Sequence, residues 1–390
     1  LFACALLASL YVATPAAAAV GDDLLKVPAG PKIPYLLNQP GTPGGVTTPL
    51  GPAEFAKWLR GRAIFDKNFT EAEGLGAPNL NADSCRACHG DPVMGGAGGL
   101  ELNVARFGND NGGAGPFTNV TGGQAASKLR PPSFDDRENY PPEADVFEQR
   151  QTPSTLGLGL INTISDATVL SHEDLTDSDG DGIFGIARIV MVLGQPEVGK
   201  FGWKAQAPKL TDFARDAMGG ENGITTPDDG RGFAMVTDAD SVSDPELAPS
   251  DLSDLEFFML NLGPPLRGNS PNLKVALGKV IFDVISCSVC HIPAMRGSQG
   301  RVGLFSDLLL HDVWGPTFRG MAEPGAPSGF FRTSPLWGIK DTAPYMHDGR
   351  AETLTDAIEA HAGEALGSAM AFAALEPNEK NKLMLFLQDL

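Results

Sequence analysis

Cys85-Arg86-Ala87-Cys88-His89 and Cys287-Ser288-Val289-Cys290-His291 are two copies of one pentad, and their spacing decides how the chain is read. Two intervening residues put the paired sulfurs one helical turn apart, and the adjoining His then points beneath whatever the sulfurs hold. That is the pattern of c-type haem attachment, in which both thiols form thioethers to the porphyrin and the His binds iron. A thioredoxin-type redox pair needs no following His, and a structural zinc site would require both pentads to converge on one ion. Two covalently bound haem c groups are therefore expected, with iron held by His89 and His291.

Five cysteines are present, and the fifth is Cys4, so committing four to haem leaves no disulfide framework. The length suits two domains, each large enough for its own core. A net charge of -19 argues against nucleic acid or an anionic membrane surface as partner and suits exchange with a basic protein. Residues 1–19, LFACALLASLYVATPAAAA, read as a secretory signal peptide cut after Ala19. Pro15 and the small residues break this run too early for a membrane span, so none is expected in the mature chain. Covalent haem attachment takes place outside the bacterial cytoplasm, and both features point to the periplasm.

An internal repeat sets the architecture. Gly61-Arg62-Ala63-Ile64-Phe65-Asp66 precedes the first pentad and Gly278-Lys279-Val280-Ile281-Phe282-Asp283 the second. Leu255, Phe258, Met259 and Leu262 recur as Leu383, Phe386, Leu387 and Leu390, an apolar stripe at helical spacing. An opening helix, a haem pentad and a closing helix make a cytochrome c module. The expected fold is mainly α: two cytochrome c-like helical haem domains, 51–263 and 264–390, the first with long loop-rich insertions. Pro264-Pro265 is the natural linker. Residues 20–50, rich in Pro and Gly, are expected to form an irregular N-terminal segment.

Four further histidines, His172, His311, His347 and His361, are candidates for the sixth position on iron. His361 is the best placed. Thr353 and Asp356 read as a helix cap, and Leu354, Ile358 and His361 then share one face at i, i+4 and i+7. His347, in an Asp-Gly turn, suits a polar lining role. His172 and His311 suit the surface or a supporting position. Met94, in the glycine-rich loop after the first pentad, more readily packs than ligates. The first haem is thus the candidate for an open, reactive iron, with His89 as the catalytic-site ligand, and the second for electron transfer. Asp177-Ser178-Asp179-Gly180-Asp181-Gly182 places carboxylates at positions 1, 3 and 5 of a calcium-type loop, although Arg188 stands where an EF-hand has Glu.

The stretch FRTSPLWGIKDTAPYMHDGRAETLTDAIEAHAGE at 331–364, with QRQTPSTLGLGL at 149–160 and FGWKAQAPKL at 201–210, resembles the di-haem oxidoreductase family, related to the bacterial di-haem cytochrome c peroxidases and MauG. The resemblance implies a catalytic haem in the first module and an electron-transfer haem in the second. It places a ligand fourteen residues after the His of the HDG motif, here His361, giving bis-histidine ligation. It also implies an interdomain calcium on carbonyls of a Thr-Ala-Pro stretch, here Thr342 and Pro344. The family's distal Glu and displaceable His are not evident in this sequence. The expected activity is peroxide reduction, with electrons relayed through the second haem from a small donor protein such as a cytochrome c or cupredoxin. The competing readings are a non-catalytic electron-transfer cytochrome and an oxygenase using dioxygen. Trp337, in TSPLWG, is a candidate to stand between the two rings.

Overall fold

Pro52 opens the first long helix at a position whose N–H would have no partner in any case, and the Glu54 side chain accepts the Gly51 N–H at 3.0 Å. The computed structural model describes residues 37, 39–76, 80–120, 125–126 and 140–390. The signal assignment to 1–19, Cys4 and most of the 20–50 segment lie outside the described residues. Among those described, eleven α-helices follow one another: α1 (Pro52–Phe65), α2 (Cys85–Cys88), α3 (Leu158–Ile161), α4 (Asp166–Leu170), α5 (Leu210–Ala217), α6 (Pro249–Leu260), α7 (Leu273–Val284), α8 (Cys287–Cys290), α9 (Leu354–Glu359), α10 (Leu366–Ala373) and α11 (Pro377–Leu387). Helix is the dominant regular structure, as expected, and the strands are few and short.

The repeat seen in the sequence is also a repeat of contacts. Helix α1 packs on α6, and α7 packs on α11. At the first crossing, a Cβ on Gly61 would fall on the Asp254 carbonyl and within 2.7 Å of the Phe258 Cβ; at the second, a Cβ on Gly278 would fall on the Lys382 carbonyl and within 2.8 Å of the Phe386 Cβ. Only glycine lets two helix backbones approach so closely. Beside each crossing stands an aromatic pair, Phe65 and Phe258 at 5.2 Å and Phe282 and Phe386 at 5.4 Å. The Phe of each opening helix then faces the pentad His, Phe65 to His89 at 6.1 Å and Phe282 to His291 at 6.4 Å. Replacing Gly278 with Val should therefore overpack the second crossing and cost about 1–3 kcal/mol or more. Thermal unfolding should show it, and an unchanged melting temperature would mean that the helices part without loss.

Two apolar clusters sit behind these crossings. One gathers Trp58, Phe65, Leu255, Phe258 and much of the insertion around Ile161, Phe201 and Leu210. The other gathers Phe282, Phe305, Leu354, Phe372, Leu383 and Phe386. The division at 264 is not a division of packing: Met295, Val302, Leu304, Leu308, Leu309 and Trp337 all join the first cluster. Leu262, expected on the closing helix, lies beyond the end of α6 and forms a bridge with Val46.

The insertions, expected to be rich in loops, also carry strands. β1 (Val104–Gly108) is flanked by β2 (Ala125–Ala126) and β3 (Val146–Arg150) in an antiparallel sheet. Its register sets Val104 opposite Arg150 and Arg106 opposite Glu148, so Arg106 and Arg150 rise from one face. Three hairpins complete the strands: β4 (Ile189–Val192) with β5 (Gln195–Val198), β6 (Met295–Gly297) with β7 (Gly300–Val302), and β8 (Leu310–Asp312) with β9 (Phe330–Arg332).

Candidate functional site

Each pentad is a single helical turn. The His89 N–H donates to Cys85 O at 2.9 Å and the His291 N–H to Cys287 O at 3.0 Å, which closes the turn and swings each imidazole to the same side. Both rings are then fixed by a backbone carbonyl, His89 Nδ1 at 3.3 Å from Gly96 O and His291 Nδ1 at 3.0 Å from Phe305 O. A carbonyl can only accept, so Nδ1 carries the proton and Nε2 keeps its lone pair. His361 repeats the device, with Nδ1 at 2.7 Å from Ala357 O. Burial lowers the pKa of His89 and of His291 to about 4, and that of His361 also moves down. Three neutral imidazoles presenting Nε2 are a donor set suited to iron.

The helix expected to carry His361 stops short of it. Thr353 Oγ1 accepts the Asp356 N–H at 3.1 Å, so the cap is as expected, but α9 ends at Glu359. The His361 N–H then bonds to Ile358 O at 3.2 Å, and the ring turns inward just past the helix end.

One cavity of about 910 Å³ joins both pentads. All four pentad cysteines line it, as do His89, His291 and His361. Burial pushes the thiols of Cys85 and Cys287 up to about 12, and that of Cys290 is also raised. Redox-active cysteines have depressed values, the opposite of what burial does to these thiols. Arg106, Arg150 and Arg332 also line it, with the Arg150 guanidinium paired to Glu148 and Glu323. Burial lowers Arg332 to about 10, and its Nε and Nη1 donate to the carbonyls of Gly202 and Thr333. A wall of apolar side chains and thiols with a few buried cations fits a flat apolar group that carries carboxylates, as haem does.

Two carboxylates that no sequence motif marks, Asp216 and Glu221, also line the cavity. Only the fold brings α5 and the turn after it against the first pentad.

The remaining candidates sort cleanly. His347 is buried against Phe331 at 4.1 Å and edge-on to Trp314 and Phe318; it lines the cavity, although in aromatic rather than polar surroundings. Burial lowers it to about 3, and its Nδ1 has no partner among the described residues. His311 is not on the surface: it is buried on β8, 2.9 Å from both Asp307 and Glu364 and 3.7 Å from the Cys290 sulfur. Against the burial that would lower it, the two carboxylates hold its pKa well above the ordinary value. His172 is exposed. Met94 is core packing and does not line the cavity. Trp337 lines the cavity and packs on Gly157.

The carboxylates of Asp177, Asp179 and Asp181 converge within 4.8 Å on the surface. Each also accepts a backbone N–H within its own loop. Thr342 and Pro344 line the cavity, and the Thr342 hydroxyl is spent on Ile339 O at 3.2 Å.

Residues 141–390 match the model of a family described as di-haem oxidoreductase, putative peroxidase. No curated protein matches the chain. Among solved structures, a xenon-pressurised hydrazine synthase of Kuenenia stuttgartiensis is 16% identical with a TM-score of 0.44, covering 100% of both chains. A MauG-like protein associated with microbial copper homeostasis is 14% identical with a TM-score of 0.39, covering 90% of this chain and 92% of that one.

Proposed function

This chain belongs to the di-haem oxidoreductase family, and from that premise we propose a periplasmic c-type enzyme that reduces peroxide with electrons from a small donor protein. The single observation that carries the reading is the unequal supply of imidazoles. His361 accompanies His291, with Nδ1 of both given to carbonyls, whereas no further histidine among the described residues is set in that way beside His89. Bound at the pentads, haem would supply one-electron transfer at the second site and, at the first, an iron position open to a small oxidant. The cysteines would anchor each group covalently, His89 and His291 would hold the irons from one side, and His361 would close the second. Arg106, Arg150 and Arg332 would meet carboxylates at the cavity wall. Trp337, buried where the modules meet, would fill the space between the two sites and exclude water from it.

Calcium enters this reading as a structural ion of the loop at Asp177, Asp179 and Asp181, where three carboxylates converge. Thr342 and Pro344 would offer only carbonyls.

The ferric spectrum of the purified protein tests the proposal. One high-spin and one low-spin haem are expected, with the high-spin signal responding to stoichiometric hydrogen peroxide. Two low-spin haems that ignore peroxide would make the protein an electron carrier. A response to dioxygen with an oxygenated product would make it an oxygenase.

A further inference from the structure

Resting on the reading of His361 as the sixth ligand of the second haem, we propose that His311 and Glu364 are positioning residues. With Asp307 they form a buried clamp that holds the His361 loop against the second pentad. None of the three side chains is more than 9% exposed. His311 Nε2 lies 2.9 Å from Asp307 Oδ2, and its Nδ1 lies 2.9 Å from Glu364 Oε2. A carboxylate only accepts, so both ring nitrogens donate and the imidazole is a cation between two anions.

One end of the clamp belongs to the pentad. The segment from Phe305 to His311 frames it: Phe305 O accepts the His291 Nδ1–H at 3.0 Å, and the Asp307 N–H donates to Cys290 O at 3.0 Å. The His311 ring then stands 3.7 Å from the Cys290 sulfur. Asp307 Oδ1 accepts the Leu309 N–H at 3.0 Å, which stiffens the turn between Asp307 and His311. His311 is thus fixed in place relative to His291.

The other end belongs to the loop of the sixth ligand. Glu364 follows His361 by three residues, in a short 3₁₀ turn, Gly363–Ala365. Its Oε1 accepts the Asp312 N–H at 3.0 Å, and its Oε2 accepts the Phe184 N–H at 2.9 Å as well as His311. The Ala362 N–H donates to Val313 O at 3.0 Å. Gly363 lies so close to Asp312 that a Cβ on it would fall 2.2 Å from that carbonyl oxygen. These contacts seat the loop on the end of β8, the strand that carries His311.

His361 needs such an anchor. Its own bonds, to Ile358 O and Ala357 O, orient the ring on the end of α9 but reach no part of the second pentad. The clamp supplies that link, and a charge-assisted hydrogen bond is roughly twice as strong as a neutral one. Removing one member also leaves the others buried and unpaired, which adds to the loss. Through Phe184 the insertion of the first module grips the same carboxylate, so both modules hold the loop of one ligand.

The test uses the purified holoprotein with Glu364→Gln, His311→Gln and, as control, Glu359→Gln, an exposed carboxylate at the end of α9. Hydrogen exchange reads the clamp without reference to haem. The Ala362 and Asp312 amides should exchange about tenfold faster or more in Glu364→Gln and His311→Gln, and at the wild-type rate in Glu359→Gln. Carbon monoxide added to the reduced protein reads the ligand, since a six-coordinate iron takes it up only after its sixth ligand has left. A fast phase from the first haem and a slow phase from the second are expected. Both clamp variants should speed the slow phase about tenfold or more, leave the fast phase unchanged and keep both covalent haems. A merely structural role would move both phases or neither. Glu364→Asp, with its charge on a shorter arm, should fall between wild type and Glu364→Gln in both readouts, and serves in its place if Glu364→Gln does not accumulate. The proposal is overturned if the clamp variants leave exchange unchanged, or if exchange quickens while the slow phase stays at the wild-type rate. A wild-type protein with no slow phase, unaltered by His361→Ala, overturns ligation by His361 and the positioning role with it.

Discussion

Replacing Cys287 and Cys290 together with Ala is expected to leave a protein with one covalent haem in place of two, and replacing Cys85 and Cys88 should remove the other. The effect is all-or-none because a thioether is a covalent bond and Ala offers no atom to form it. The surroundings of these thiols bear on their alternative uses. A redox pair works through a thiolate, yet burial pushes Cys85 and Cys287 up to about 12. A shared zinc would need the two pentads to meet, whereas each sits beside its own helix crossing, with His89 against Phe65 and His291 against Phe282. Independence of the two losses follows from the same arrangement. Intact-mass measurement on denatured protein reads the result directly. If the wild-type chain carries no covalent haem, the whole account fails; if either pair of substitutions removes both groups, the two modules do not load separately.

How much of this is legible in the sequence depends on which physical constraint sets each residue. The pentads and the opening helices can be read because their requirements are local: one turn between sulfurs, an apolar stripe at helical spacing, a glycine where two backbones touch. Gly61 and Gly278 occupy equivalent places in the two repeats, and each lies under a partner carbonyl. The cap at Thr353 is equally local, and its hydrogen bond forms as the sequence suggests. What does not show is assembled from distant pieces. His311 reads as a loop residue because one of its two carboxylate partners, Glu364, comes from a segment 53 residues away. Asp216 carries no pattern at all, since its meaning depends on a cavity that only the folded chain encloses. Arg106 and Arg150 need a strand register before they share a face. The periodicity that carries His361 continues past Glu359, whereas the helical backbone does not. The module boundary at 264 follows the repeat but not the packing, since Met295, Val302, Leu304, Leu308 and Leu309 lie on the core of the first unit.

His361→Ala is expected to convert the second haem from low-spin to high-spin and leave the first unchanged. A single neutral imidazole on one side gives iron a strong ligand, and a second on the other side completes the low-spin set. Three features of His361 suit it to that place. Its Nδ1 is committed to Ala357 O at 2.7 Å, its burial keeps it neutral, and it lines the same cavity as His291. Loss of the ring leaves the position to water or to nothing, and either gives a high-spin iron that binds small ligands. His361→Met is the informative companion. A thioether in that place should restore a low-spin haem but raise its reduction potential, because Met favours the reduced iron more than His does. That shift would separate a true ligand from a residue that merely supports the fold, since a packing defect has no reason to move the potential upward while keeping the spin state. His347 is the residue that would inherit the role if His361→Ala still showed the second haem low-spin. Its ring lines the same cavity, and its burial among Phe331, Trp314 and Phe318 keeps it neutral. Its Nδ1, however, has no carbonyl among the described residues to fix the tautomer, which the other three imidazoles have. The spectrum of His361→Ala therefore decides between a ligand already oriented by its backbone and one that would have to be oriented by the iron.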